Sequence, residues 1–340
     1  MEGLPKTLRI NGLRLFWAIF CLFLTAGSAQ ASGAAEDDKF NPDIILHHVV
    51  DDYVWHFTDD LVLHLPIITY TESRGLEVFS SSNFYEHHDL KADGFNGFKL
   101  EHGHIVRTDG ESVMDFSVTK TVAMLFINVG LILIVFLAAA AGARRNKGKA
   151  PSGIQSFVEP VIVFVRDEIV KPNIGPKYEK YLPYLLTLFF FILFGNLLGL
   201  LPGAANLTGN IAVTMTLAVF TFLITNFSGT KSYWAHIFWT PGVPLPLRVI
   251  ILPVEIIGIF TKPFSLMIRL FAAITAGHIV LLSLICLTFM FRSWYVGAGV
   301  SIFVVFINLI ELLVAGIQAY VFTLFTSLYI GIAVEDHDHH

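Results

Sequence analysis

Residues 249–334 are almost wholly apolar, yet they keep six ionisable side chains: Glu255, Lys262, Arg269, His278, Arg292 and Glu311. An ionisable group in a membrane-length apolar segment is costly, and it marks an ion path or a relay by default. Arg292 stands beside Trp294 and Tyr295 and reads as an anchor at the membrane interface. The others fall into patterns. At 100° per residue, Glu255, Lys262, Ser265 and Arg269 lie within about 80° of one another on one helix face, and Glu255 and Arg269 are about 21 Å apart along the axis. His278 points about 180° away from Arg269. Pro263, inside the same helix, predicts a kink and a freed carbonyl near Ile259. A second stripe runs through Glu311, Gln318 and Tyr329, within about 20° of one face, with Asn308 close by.

These residue types suggest two different jobs. Imidazole and carboxylate both exchange protons near neutral pH once their surroundings tune them, so His278 with Glu311 reads as a proton relay. For Gln318 and Asn308, hydrogen bonding between helices stands beside a place on the same path. Arg269 cannot relay, because a guanidinium keeps its proton. It can only hold a charge in place, and that charge needs a carboxylate. Glu255 is too far along the helix, and no other acidic group of the chain is at that depth on that side. The partner is therefore expected on another subunit. A fixed cation opposite a mobile carboxylate suits a rotating or sliding ion carrier.

The elements that must position these groups are membrane helices. The 340 residues are 54% hydrophobic and only 14% charged, against about 25% charged in soluble domains, and mean hydropathy is +0.66. An ordinary soluble enzyme is excluded, and the net charge of -5 gives no sign of nucleic-acid binding. Residues 1–31 read as a signal peptide: Lys6, Arg9 and Arg14, then an apolar run, then Ala29-Gln30-Ala31 for cleavage. Cys21 would leave with it, and Cys286 is then a lone packing thiol. Residues 32–117 hold 17 of the 27 acidic residues and only five basic ones, and turn signals and short alternating runs predict a small β-rich extension.

Residues 121–143 carry no charge, long enough for one crossing, and Arg144, Arg145, Lys147 and Lys149 follow. Positive loops stay inside, so the acidic extension is expected outside. Residues 155–170 suggest a helix along the inner membrane surface. Residues 181–230 hold no charge, enough for two crossings with a turn near 202–210, and two long apolar stretches, 249–291 and 294–334, complete the membrane part. The expectation is five crossings plus the surface helix, with a short cytoplasmic tail at 336–340. No Gly-rich phosphate loop is present.

Two segments then match a known pattern. Lys262-Pro263-Phe264-Ser265-Leu266-Met267-Ile268-Arg269-Leu270-Phe271, running on to Ala276-Gly277-His278, resembles subunit a of F-type ATP synthases, as does Gln318-Ala319-Tyr320-Val321-Phe322 with Tyr329 after it. Asn196-Leu197-Leu198-Gly199-Leu200-Leu201-Pro202 and the helix around Thr214 are similar to the family's middle hairpin. The resemblance covers roughly residues 118–335. It implies an all-α integral membrane fold whose two long, tilted C-terminal helices face a ring of c subunits. It also implies a b-subunit peripheral stalk and the remaining ATP synthase subunits as partners, a bacterial inner membrane, no cofactor, and nucleotide chemistry carried by other subunits.

By this resemblance Arg269 faces the ring carboxylate and separates two offset half-channels. His278, Glu311 and Gln318 match the outer one, and Glu255 and Ser265 lie near the inner one. Two features depart from the pattern. Many bacterial members carry Glu at the position of His278 and His at that of Glu311, so the pair is exchanged here. The usual Gly-Asn after Arg-Leu-Phe is Ala272-Ala273, which removes one polar group from the outer path.

The main rival is a proton-coupled secondary transporter, which would need a midplane site on paired broken helices. Only one Pro-broken helix is evident, with no second copy. A membrane-embedded hydrolase would need a nucleophile–base pair or a metal motif. The extension also holds His47, His48, His56, His64, His87, His88, His102 and His104. Their spacing matches no standard zinc set, so solvated or structural histidines are the reading and no metal is assigned.

Overall fold

The computed structural model describes residues 51–56, 62–86, 89–90, 94–101, 103–146, 148–201, 203–239, 244–291 and 294–335. The expected signal peptide, the tail 336–340, Arg292 and His47, His48, His87, His88 and His102 lie outside the described residues. The chain divides into two compact units, one spanning 1–118, 199–204 and 277–311 and the other 119–198, 205–276 and 312–340.

The first unit contains the expected β-rich extension. Strands β1 (Val54–His56) and β2 (Val62–His64) pair antiparallel. Strand β3 (Pro66–Thr71) pairs with β4 (Gly75–Ser80) on one side and β9 (Met114–Asp115) on the other. Two further hairpins join β5 (Tyr85–Glu86) to β6 (Asp89–Leu90) and β7 (Phe98–Glu101) to β8 (His104–Arg107). Short strands need a shared core, and Tyr53, Ile67, Phe84, Phe98 and Ile105 supply it, with Phe79 packed against them. Gly94 has φ +67°, and a Cβ there would run into the Phe98 carbonyl, so the turn before β7 requires glycine.

Polar groups fasten this module. The Tyr53 hydroxyl donates to Asp115, and burial together with that carboxylate pushes the phenol above its usual range. Burial likewise pushes Tyr85 up to about 12. Arg107 reaches Ser73 Oγ at 2.6 Å, Asp109 Oδ2 at 2.6 Å and the Glu111 carboxylate. The Thr108 hydroxyl, with Arg107, holds Asp109 below the ordinary carboxylate range, and Ser73 does the same for Glu111. Trp55 Nε1 donates to the Gly203 carbonyl at 2.6 Å, in the turn between two membrane helices.

The second unit is helical. Helix α1 (Lys120–Arg145) starts where Thr119 Oγ1 accepts from Val122 N and ends on Arg144 and Arg145. Helix α2 (Ile154–Phe164) and the π-helical stretch Val165–Val170 that continues it make residues 155–170 helical as expected, and a turn, Lys171–Ile174, follows. Gly175 at φ +69° then ends this run before α3 (Tyr178–Gly199). Asn210 caps α4 (Ile211–Phe227) by accepting from Ala212 N. Helix α5 (Lys231–Phe238) follows at a 101° bend. Two long helices complete the chain, α6 (Leu245–Phe291) and α7 (Trp294–Val334), each divided between the two units.

The fold is therefore that of a multi-pass membrane protein. Four helical runs are long and apolar enough to cross a bilayer, and a fifth is added if α4 and α5 form one bent span. Helices α6 and α7 have 47 and 41 residues. At 1.5 Å per residue both correspond to about 60 Å or more of helix, twice the roughly 30 Å apolar core of a bilayer.

Association between membrane helices depends on close packing and on polar side chains rather than on burial from water, and the second unit uses both. Asn173 Nδ2 bonds Ile169 O at 2.7 Å and Ser327 Oγ at 3.0 Å. Lys177 Nζ reaches the Val334 carbonyl at the C-terminus of α7 at 3.2 Å. Asn196 Nδ2 donates to Ala315 O at 3.3 Å and its Oδ1 accepts from Thr208 at 2.6 Å. Tyr184, Thr221 and Thr326 form a hydroxyl ladder across α3, α4 and α7. Gly331 lies where any Cβ would collide with the Asn173 carbonyl.

Gly331→Ala is expected to destabilise the α7 packing by about 1–3 kcal/mol, the usual cost of overpacking. Asn196→Leu, which removes the short bond accepted from Thr208 and leaves that hydroxyl only the longer contact to Asn206 Oδ1 at 3.4 Å, is expected to cost about 1–3 kcal/mol. Both should lower the thermal midpoint of the detergent-solubilised protein. An unchanged midpoint in either variant would show that the corresponding contact contributes nothing.

Candidate functional site

In the second unit α6 buries Leu266, Met267, Leu270 and Ile274, a stripe at helical spacing, while Phe264, Ser265 and Ile268 are exposed. Arg269 sits at the border of the stripe and is half-buried. Its guanidinium carbon lies 4.6 Å from the ring centroid of Phe325 on α7. Lys262 Nζ lies 5.5 Å from the ring centroid of Tyr329. Both contacts are cation–π interactions, which hold a cation without neutralising it. The two pairs run antiparallel, so α6 and α7 pass each other as a hairpin here. Among the described residues no carboxylate pairs with Arg269; the ion pairs found there are Arg74–Glu77, Arg107 with Asp109 and Glu111, and Arg166–Asp167.

Next to Lys262 and Tyr329 is a small cleft, whose walls include Thr221, Thr225, Asn226, Tyr233, Ile259 and Pro263. Thr225 Oγ1 and Asn226 Oδ1 are buried without a hydrogen-bond partner among the described residues. Pro263 has no N–H to give the Ile259 carbonyl. These two buried oxygens and the Ile259 carbonyl are groups that a water molecule would satisfy. Pro253 and Pro263 both lie within α6.

In the first unit Glu311 is only 4% exposed. It stands against Gly277: a Cβ there would come within 2.8 Å of Glu311 Oε1 and 3.0 Å of its Cγ. The missing side chain lets the two helices close around the carboxyl group. His278, the next residue, is half-buried, as is Asn308 one turn before Glu311.

The sequence-predicted residues thus fall into two groups. Arg269, Ser265, Glu255, Gln318 and Tyr329 belong to the second unit, and His278, Asn308 and Glu311 to the first. Ser265 is exposed, Glu255 and Gln318 are half-buried, and neither the Ser265 nor the Gln318 side chain makes a hydrogen bond among the described residues. Sequence reasoning missed Phe325, which carries no polar signal. It also missed Thr225, Asn226 and Tyr233. A signal for Thr225 existed: Thr214, Thr221 and Thr225 recur on the buried face of α4.

Two family models match the chain. "ATP synthase A chain" matches residues 122–331, and "Domain of unknown function (DUF8433)" matches residues 44–124. "ATP synthase subunit a 2" of Chlorobaculum tepidum is 42% identical over 326 residues, covering 93% of this chain and 80% of that one. "ATP synthase subunit a 2" of Prosthecochloris aestuarii is 40% identical over 344 residues, covering 99% and 92%. "ATP synthase subunit a" of an Anaeromyxobacter species is 40% identical over 325 residues, covering 92% and 75%. With its membrane helices and most of its length accounted for in this way, the chain belongs to the ATP synthase A chain family.

Proposed function

We propose that the chain forms two offset proton half-channels against a ring of c subunits and couples proton flow to ring rotation and ATP synthesis. Membership of the family makes it a non-catalytic membrane subunit of the rotary ATPase. Arg269 is the fixed cation opposite the ring carboxylate and the barrier between the half-channels. His278, Glu311, Asn308 and Gln318 serve the outer path. Glu255, Ser265 and the cleft at Tyr329 serve the inner one. The acidic extension faces the outside of a bacterial inner membrane and the C-terminus faces the cytoplasm. A b-subunit stalk and the other subunits hold the chain still while the ring turns.

The observation that carries this reading is the state of Arg269: a permanent cation on a membrane helix, touching an aromatic ring and no carboxylate among the described residues. A charge in that position is stabilised by a partner that arrives from elsewhere. The driving force is the proton gradient, whose electrical part is about 2.3 kcal/mol per charge per 100 mV.

Two experiments on vesicles carrying the assembled complex test it. Arg269→Ala should abolish ATP-driven proton pumping while ATP hydrolysis by the detached soluble sector stays intact. Normal pumping in that variant would overturn the reading and favour a secondary transporter. Glu311→Gln should lower pumping by on the order of 10²-fold, the scale of removing a general acid–base group. The exchanged pair His278→Glu with Glu311→His should recover most of it. Equal loss in the single and exchanged variants would remove the relay role from this pair.

A further inference from the structure

The β-module has an outer face that should not be in water. Strand β3 pairs Pro66, Ile68 and Tyr70 with Ser80, Val78 and Leu76 of β4, and Tyr70 with Met114 of β9. Alternation in a strand sends every second side chain to the same face. One face, with Ile67 and Thr69, is buried in the module core. The other carries Tyr70, Leu76, Val78, Met114 and Phe116, which are 41–64% exposed. Among the described residues of β3, β4 and β9, none on this face is acidic. An antiparallel sheet with one solvated side normally makes that side polar, and a continuous apolar patch marks a surface that something covers.

The chain path says what covers it. The pairing of β3 with β9 continues past β9: Phe116 N donates to Ile68 O at 2.8 Å and Val118 N to Pro66 O at 3.1 Å. Helix α1 begins at Lys120 and is a membrane span by length and composition. The sheet therefore ends two residues, about 7 Å of extended chain, before a helix that enters the bilayer. The module is held again by Trp55, bonded to the Gly203 carbonyl in the turn between α3 and α4. Both connections, the two residues before α1 and the Trp55–Gly203 bond, tie the sheet to chain segments that run directly into helices of membrane length. The exposed residues are aromatic, Met and aliphatic, the types that lie in the interfacial region of a bilayer.

We propose that this face of the module, Tyr70, Leu76, Val78, Met114 and Phe116, lies on the lipid bilayer surface, so that the domain of unknown function acts as a membrane-resting plate. The proposal depends on α1 crossing the membrane and not on the roles of Arg269, His278 or Glu311.

The test uses the assembled complex in vesicles of phosphatidylethanolamine and phosphatidylglycerol, in a Cys286→Ser background. Nitroxide labels are placed at Val78→Cys, at Leu76→Cys and, as a water-exposed control on the β7–β8 hairpin, at His104→Cys. Collision of each label with oxygen, which collects in lipid, is compared with collision with a water-soluble nickel chelate. ATP-driven pumping by the same vesicles establishes that the labelled complex is intact. The expected result is that Val78 and Leu76 labels favour oxygen over nickel while the His104 label shows the reverse order. Nickel access at Val78 and Leu76 equal to that at His104 overturns the proposal, because the face is then free in water. Protection from both reagents also overturns it, because protein then covers the face. Pumping that fails only after Arg269→Ala, with unchanged label accessibility, separates the proton-path reading from this one.

Discussion

Arginine keeps its proton under any condition a protein meets, so a membrane helix that carries one must surround it with something other than lipid. Much of the second unit follows from that constraint at Arg269. The buried stripe of Leu266, Leu270 and Ile274 packs into the helical core, while the guanidinium is left at its border over the ring of Phe325. An aromatic face lowers the cost of the charge without cancelling it.

Holding such a cation in place requires stiff neighbours, and the helices are fixed by contacts suited to lipid. Gly331 admits the Asn173 carbonyl, and Gly277 admits the Glu311 carboxyl. Asn196, Thr208, Asn173, Ser327 and the Tyr184–Thr221–Thr326 ladder join helices through side-chain hydrogen bonds. The C-terminus of α7 is bound twice, by Lys177 on Val334 O and by Thr230 N on Ala333 O. In lipid, where burial from water drives no helix pairing, these small-residue contacts and polar bonds fix the geometry. The extension follows the other rule: a core of Phe, Ile and Tyr excludes water, and ionic links such as Arg107 to Asp109 lie at the rim.

Several features were legible in the residues alone because they depend on composition and period. Charge-free stretches of membrane length gave the helices. The alternating runs and turn residues of 32–117 gave strands. The spacing of Glu311, Gln318 and Tyr329 gave a polar face on α7. Pro263 lies inside α6 as the sequence placed it, and Ile259, whose carbonyl lacks the N–H that Pro263 cannot give, is on the wall of the cleft beside Tyr329. The π-helical stretch Val165–Val170 and the bend between α4 and α5 had no sequence signature strong enough to read.

Sequence thus settled which groups carry charge in the membrane and how they are spaced along each helix, since both are properties of a single helix and its period. Which helix meets which was decided in three dimensions. Phe325 beneath Arg269, Tyr329 beside Lys262, Gly277 against Glu311 and Asn196 on Ala315 join residues far apart in the chain. The apolar outer face of the β3–β4–β9 sheet likewise appears only when the strand register is known. Local pattern fixes the face a residue takes on its own element, whereas its partner depends on the packing of the whole chain.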